Sequence, residues 1–304
     1  MSEFTLIERH FAAPRLGKQD ACIDLGIGDD AALLRVPDRR QLVVCADTLV
    51  QGVHFPAFVS AHDIGYRALA VNLSDMAAMA AEPRWYTLCL TLPASDEAWV
   101  SQFCSGLEEA ARPFCLTLIG GDTTSGPLTI SLQLLGLADR GKALRRSGAQ
   151  VGDAICVTGF LGDAAAGLAL LMGQAEADSR ALPTLTAEQG QYLEARFLRP
   201  SPRIEEAALL TGLASSCIDI SDGLLADLGH ICHQSNVGAR LQLARVPRSP
   251  ALSVLPVAER LEYAMSGGDD YELCFTVPEH RLARLERRFA VAGRSLSRIG
   301  TVVA

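Results

Sequence analysis

The decapeptide LTISLQLLGL (128–137) opens with strict alternation. Leu128, Ile130, Leu132 and Leu134 fall on one side of an extended chain, and Thr129, Ser131 and Gln133 on the other, because successive strand side chains point to opposite faces. The pattern predicts a strand with one packed face and one more polar face. On either side of it, short apolar runs read as further strands at 42–46, 86–92, 115–119, 154–158 and 272–277. Helical patterns lie between them at 63–81, 96–112, 162–172, 187–197, 201–213 and 224–235. Ser201-Pro202 has the form of an N-cap followed by proline at the first helical position. Strands interleaved with helices define an α/β (α+β) fold.

The polar, glycine-bearing segment ADRGKALRRSGAQVGD (138–153) separates two runs of similar size. The expected division is therefore 1–138 and 139–304, which suits a chain of 304 residues at about 150 residues per domain. The stretch 174–190, rich in Ala, Asp, Glu and Thr, reads as a surface excursion. There is also an internal echo. AVNLSDMAAM (70–79) resembles SCIDISDGLLADL (216–228), each with an apolar run, then Asn-x-Ser-Asp or Asp-x-Ser-Asp, then a helical pattern. The echo predicts the same strand-to-helix junction in both domains, and two ordinary N-caps would produce it equally well.

Composition narrows the function. The net charge of −8 disfavours a nucleic-acid backbone as partner. Of 27 basic residues only Lys18 and Lys142 are lysines, and neither sits in a Gly-Lys-Ser/Thr tripeptide, which argues against a P-loop. The nine cysteines form no Cys-x-x-Cys pair, and most lie in apolar company such as Leu88-Cys89-Leu90, so they read as small buried hydrophobes in a reducing compartment. No run of 18 apolar residues occurs and the first residues lack an apolar signal core, so a cytoplasmic protein that makes no membrane contact is expected.

The aspartates cluster with glycines: GIGDDAA (26–32), CADTLVQGVHF (45–55), NLSD (72–75), IGGDTT (119–124), DISDG (219–223) and SGGDDYEL (266–273). Solvating acids usually lie along helix faces instead. Carboxylates alone repel phosphate, whereas carboxylates holding Mg²⁺ attract it, and Mg²⁺ takes oxygen ligands shared with substrate phosphates. Several such acids imply several Mg²⁺ ions and a polyphosphate. Glycine amides and helix N-termini would supply further anion contacts. Each cluster also has a local reading as a turn or cap, a tight turn at Gly120-Gly121-Asp122 among them. His54 reads alone as a core histidine or a ligand contact, and Arg145-Arg146 as a solvated turn or a phosphate clamp.

Taken in order, GIGDDAALL, DTLVQGVHF, AVNLSDMAAM, IGGDTTSGPL, LRRSGAQVGD, VTGFLGDAAAG, LRPSPRI, DISDGLLADLGHI and SGGDDYELCFTVP resemble the thiamine-monophosphate kinase family, of the aminoimidazole-ribonucleotide synthetase-like superfamily. The resemblance runs from about Phe4 to Thr301. It implies ATP-dependent phosphorylation of thiamine monophosphate to thiamine diphosphate, the last step of that cofactor's biosynthesis. It also implies two domains, the first pairing with its copy in a homodimer through a shared β-barrel. By position it implies Mg²⁺ ligands at Asp30, Asp47, Asp75, Asp122, Asp219 and Asp222. Nucleotide contacts fall at Gly121, Asp122, Arg146 and Ser221, and substrate contacts at His54 and Asp269. No catalytic base is expected, because a phosphate monoester with a second pKa near ~6 is mostly dianionic at neutral pH.

The sequence departs from the family pattern at four places. Cys45-Ala46 stands where Ser-Thr is common, Asp269 where glutamate is usual, and Ala80 where glycine is usual. The family also continues past the strand matched by 298–303 with an aromatic-bearing extension. Two other functions fit the same motifs: a different superfamily enzyme that activates an oxygen with ATP, and a non-catalytic sensor of ATP or thiamine phosphates.

Overall fold

The structure is a computed structural model that describes residues 7–11, 16, 20–176 and 185–304. Lys18 and residues 177–184 of the expected surface excursion lie outside the described residues. The chain divides into two units, 1–76 with 81–141, and 77–80 with 142–304.

In the first unit, β1 (Ile23–Leu25) and β2 (Leu33–Leu34) form a small antiparallel pair. The main sheet contains β3 (Arg40–Val50), β4 (Glu82–Leu92), β5 (Thr117–Ser125) and β6 (Thr129–Asp139), in the order β3-β6-β4-β5. Only the β4–β5 pair is parallel. The alternation expected for β6 is present: Leu128, Ile130, Leu132 and Leu134 are buried, Thr129 and Ser131 are half-buried, and Gln133 is exposed. On the open face the Thr48 and Ser131 hydroxyls share a 2.8 Å hydrogen bond between β3 and β6. The same alternation exposes Cys89, which the apolar context had suggested was buried. Its cross-strand partner is Ser131, on the open face.

The α-helices among the described residues of this unit are α1 (Ala61–Ala78) and α2 (Glu97–Ala111). Asp96 caps α2 by accepting from the Ala98 and Trp99 amides at 2.9 and 3.1 Å. The expected strand-to-helix junction at 70–79 is absent. Residues 70–78 lie inside α1, because Ala, Leu and Met are strong helix formers and no glycine follows Asp75. Two residues past the end of the helix stands Ala80 at φ 50°, its amide bonded to Ala77 O at 2.8 Å and the Ala81 amide to Met76 O at 2.9 Å. That bonding pattern is a Schellman cap, which favours glycine at the left-handed position.

The second unit has one five-stranded antiparallel sheet, made of β7 (Ala154–Thr158), β8 (Ser216–Asp219), β9 (Gly238–Leu241), β10 (Leu273–Val277) and β11 (Leu296–Val303). Their order is β8-β10-β7-β11-β9. Its helices are α3 (Asp163–Glu176), α4 (Ala187–Leu198), α5 (Ile204–Leu210), α6 (Leu224–Ser235), α7 (Val257–Ser266) and α8 (Glu279–Val291). Every residue of β7 and β10 is buried, because both faces of this sheet are covered. Cys156, Cys217 and Phe275 pack with Leu210 of α5 and Leu285 and Phe289 of α8. Ile155, Val157 and Cys274 pack with Leu224, Leu228 and Ile231 of α6. Helix α5 begins at Ile204, so Ser201-Pro202 does not cap it. Arg203 precedes the helix and is drawn instead into an ion pair with Glu272.

Candidate functional site

In the first unit, Asp47 and Asp75 come together. Asp47 lies on β3, directly across from Leu132, and the α1 residue Asn72 faces it. Asn72 is fully buried; its Oδ1 accepts the Asp47 amide at 3.1 Å and its Nδ2 donates to Ala68 O at 3.0 Å. Its own carbonyl accepts the Cys45 thiol at 3.5 Å. One buried asparagine thus ties β3 to α1 where the acids sit. Asp75 lies one helical turn beyond Asn72, on the same face of α1. Burial pushes the Cys45 thiol well up, and the charges of Asp75 and Asp47 push it further, so all three side chains share one electrostatic neighbourhood. Burial also pushes Asp47 up, against the pull of His54.

His54 stands in the tight turn after β3. Its Nδ1 accepts the Val50 amide at 3.0 Å, so the neutral ring carries its proton on Nε2. The ring is exposed, and that N–H is turned away from the bond that fixes it. Asp30 is exposed in the turn between β1 and β2, where its amide donates to the Asp29 carboxylate at 2.9 Å. Asp122 is also exposed, but on β5 across from Cys89. Three strand spacings, about 14 Å, separate β5 from β3. The first-unit acids therefore do not all converge within this unit. Gly121 lies within β5, so the turn reading of IGGDTT fails. A Cβ on Gly121 would sit 1.9 Å from Leu88 O, which makes glycine obligatory for the β4–β5 pairing itself.

In the second unit, two acidic loops are laced together. DISDG (219–223) leaves β8 and enters α6, and SGGDDYE (266–272) leads from α7 into β10. Backbone bonds run from the Asp269 amide to Ser221 O, from the Tyr271 amide to Ile220 O and from the Ile220 amide to Glu272 O, at 2.8, 2.8 and 2.7 Å. Gly223 at φ 108° makes the turn into α6, and a Cβ there would meet the Ser266 backbone at 2.8 Å. Asp227 of α6 accepts the Ser221 and Asp222 amides at 3.1 and 3.0 Å. Burial pushes its carboxyl up to about 6, the Asp222 amide bond opposes, and the charges of Asp219 and Asp222 add to the rise. Asp219 is buried, Ser221 half-buried and Asp222 exposed. Arg146 is exposed, and its carbonyl accepts the Ser235 hydroxyl of α6 at 3.5 Å.

Behind these loops lies a buried polar framework that the sequence reading missed. Asp270 is buried and accepts the Gly162 and Ala164 amides at 2.6 and 3.2 Å, which caps α3 from another part of the chain. Burial pushes it up to about 8 against those bonds and the nearby Arg196. Glu272, fully buried, accepts the Thr158 hydroxyl at 2.7 Å, Arg196 at 3.0 Å, and Arg203 through two bonds, one of them 2.6 Å. Asp163 accepts Ser249 at 2.6 Å and Tyr192 at 2.8 Å. The motifs VTGFLGDAAAG, LRPSPRI and SGGDDYEL, silent about their roles as sequence, supply Thr158, Arg203 and Glu272 to one cluster. Arg196 belongs to none of them.

The donor set suits Mg²⁺. The acids present hard oxygen ligands, and burial holds the carboxyls of Asp47 and Asp227 up. Among the described residues no three His, Cys, Asp or Glu side chains are arranged to hold a metal by themselves. Mg²⁺ keeps several waters and shares phosphate oxygens, so it does not require such a cage.

Two family models match: AIR synthase related protein, N-terminal domain, over residues 28–138, and AIR synthase related protein, C-terminal domain, over 150–304. The chain therefore belongs to the AIR synthase related proteins. It is 48% identical over 303 residues to the thiamine-monophosphate kinase of Escherichia coli (strain K12), covering 99% of this chain and 90% of that protein. Among solved structures it is similar to thiamine-monophosphate kinase from Stenotrophomonas maltophilia K279a, with a TM-score of 0.89, 46% identity, and 100% and 94% of the two chains covered. It is also similar to AaThiL complexed with AMPPCP and TMP, with a TM-score of 0.76, 30% identity, and 91% and 85% covered. Within its class, the chain is a member of the thiamine-monophosphate kinase family.

Proposed function

We propose that this chain is an ATP-dependent kinase that converts thiamine monophosphate to thiamine diphosphate by direct in-line phosphoryl transfer. The observation that carries the reading is the near-full-length identity with thiamine-monophosphate kinases, including a relative whose structure holds an ATP analogue and TMP. The acceptor phosphate is mostly dianionic at neutral pH, so no residue is needed to remove a proton. The barrier is the approach of two polyanions. Bound Mg²⁺ would neutralise that charge and align the phosphate oxygens.

The chain's own residues do the rest. Asp30, Asp47, Asp75, Asp122, Asp219 and Asp222 would hold the metal ions. Asn72 and Asp227 fix the backbone on which Asp47 and Asp222 are carried. Gly121, Asp122, Arg146 and Ser221 would contact the nucleotide, with the Arg146 fork suited to phosphate oxygens. His54 would offer Nε2–H to the substrate, and Asp269 a carboxylate to the cationic, amine-bearing thiamine moiety. The working form would be a homodimer in the cytoplasm. Half-exposed Leu42 and Val44 on the open face of the first-unit sheet support an interface there, and among the described residues no helix is long and apolar enough to cross a membrane.

The test is to mix the chain with ATP, Mg²⁺ and thiamine monophosphate and to assay thiamine diphosphate and ADP together. Equimolar appearance of both, abolished by chelating Mg²⁺, is expected. Nucleotide binding with neither product formed would replace the kinase with a sensor.

A further inference from the structure

The loop that carries Asp269 holds an unusual backbone. Asp269 and Tyr271 both adopt left-handed conformations, at φ 69° and 51°. Aspartate tolerates that region, but a bulky aromatic there is an outlier. Asp270 between them is turned inward to cap α3, and Glu272 after them is locked by Arg196 and Arg203. The two inward acids and the two amide bonds to 220–221 over-determine the strained backbone, as a functional turn requires. The strain has a visible product: the Tyr271 hydroxyl reaches back over one residue and donates to Asp269 Oδ1 at 3.2 Å. Both residues are half-buried. The bond is long for a hydroxyl on a carboxylate. It orients the group, and a carboxylate has acceptor sites enough to meet a ligand beside its other partners.

We infer that Tyr271 is a positioning residue for substrate binding: its hydroxyl holds the Asp269 carboxylate in the orientation that meets the thiamine moiety. The inference rests on the proposed reading of Asp269 as a substrate contact. It explains how an aspartate can serve where the family usually has the longer glutamate, since a shorter arm depends more on being aimed.

The experiment compares Tyr271→Phe, Asp269→Asn and the double variant. Thiamine monophosphate alone is titrated calorimetrically without ATP, steady-state constants are measured with ATP and Mg²⁺, and melting temperatures are recorded. Tyr271→Phe keeps the ring and should melt within about a degree of the parent. It should weaken thiamine monophosphate binding and raise its KM about five- to tenfold, with kcat and the KM for ATP unchanged. The double variant should be no weaker than Asp269→Asn alone, because one interaction is lost in both. A normal Kd and KM in Tyr271→Phe beside a clear loss in Asp269→Asn would overturn the positioning role and leave the substrate contact standing. Normal values in Asp269→Asn would overturn both. Additive losses would give Tyr271 a contact of its own and overturn the positioning role as stated.

Discussion

NLSD at 72–75 and DISD at 219–222 read almost alike and fold differently. The first is an uninterrupted part of α1, held by the i to i−4 bonds of a helix, and Asn72 ties it to β3 through the Asp47 amide and the Cys45 thiol. The second is a loop between β8 and α6. The residue that follows decides. Met76 continues a helix, whereas Gly223 at φ 108° ends extended chain and turns it. A carboxylate on a helix inherits its position from regular hydrogen bonds. A carboxylate on a loop must have its backbone fixed by side chains, and the second unit devotes Asp227, Asp270, Glu272, buried Arg196 and half-buried Arg203 to that task.

The comparison can be broken at four depths. The largest effect is expected from Asp75→Asn and Asp222→Asn, each lowering kcat on the order of 10³-fold by removing a charge from the proposed Mg²⁺ site. Both should leave circular dichroism and melting nearly unchanged, which would show that helix and loop are two routes to one chemistry. A variant retaining near-parental turnover would remove that acid from the metal set. Next comes the cost of each scaffold. Glu272→Ala removes the carboxylate that buried Arg196 and half-buried Arg203 share and should cost about 3–5 kcal/mol in denaturant unfolding. Asn72→Ala orphans a single amide and should cost about 1–3 kcal/mol. Equal costs would contradict the claim that the loop site depends more on buried polar groups.

Third is pH. The folded Asp270 carboxyl is pushed up to about 8 from an ordinary 3.8, so the native state keeps a proton that the unfolded chain has lost. Its contribution is greatest below pH ~4 and declines as pH rises to ~8. Unfolding free energy measured across that window should fall less steeply in Asp270→Asn than in the parent. Parallel curves would mean that Asp270 is already ionised at the low end. The smallest effect belongs to the end of α1. Ala80→Gly should stabilise by about 1 kcal/mol, because it relieves a left-handed alanine in the Schellman cap. A neutral or lower melting temperature would show that the entropy of the unfolded glycine outweighs the relief.

Regular elements with strong patterns were legible from sequence. The β7 and α6 spans agree with the expected bounds, 154–158 and 224–235, since one is a continuous apolar run and the other a clean helical repeat. Helix α8 went unread although Leu282, Leu285 and Phe289 follow helical spacing, because its exposed face is crowded with arginine and glutamate. Strand β9, four residues long, is too short to carry a period, whereas β8, equally short, was legible through the echo at 216–228, whose strand-to-helix junction the second unit contains. The acids of the candidate site could be picked out because glycine accompanies them. Their support could not, since Glu272 looks like the first residue of an apolar strand and its arginine partners lie 69 and 76 residues away. A salt bridge between such distant residues leaves no local trace.

The sheet order has a consequence for how the protein is made. Strand β7 is the first of its sheet to leave the ribosome, yet its two neighbours, β10 and β11, are the last. At ~5–20 residues per second, roughly 6 to 23 s pass before β10 follows it. During that interval a largely apolar strand has both edges unpaired, while the sheet of the first unit already has all its strands. A nascent chain stalled near residue 250 should therefore be cut readily by protease after about residue 142 and resist before it; uniform resistance would mean that β7 finds another partner. The second unit is where a nascent chain of this kind needs a holding chaperone, and destabilising substitutions there should lower the yield of protein before they lower its activity.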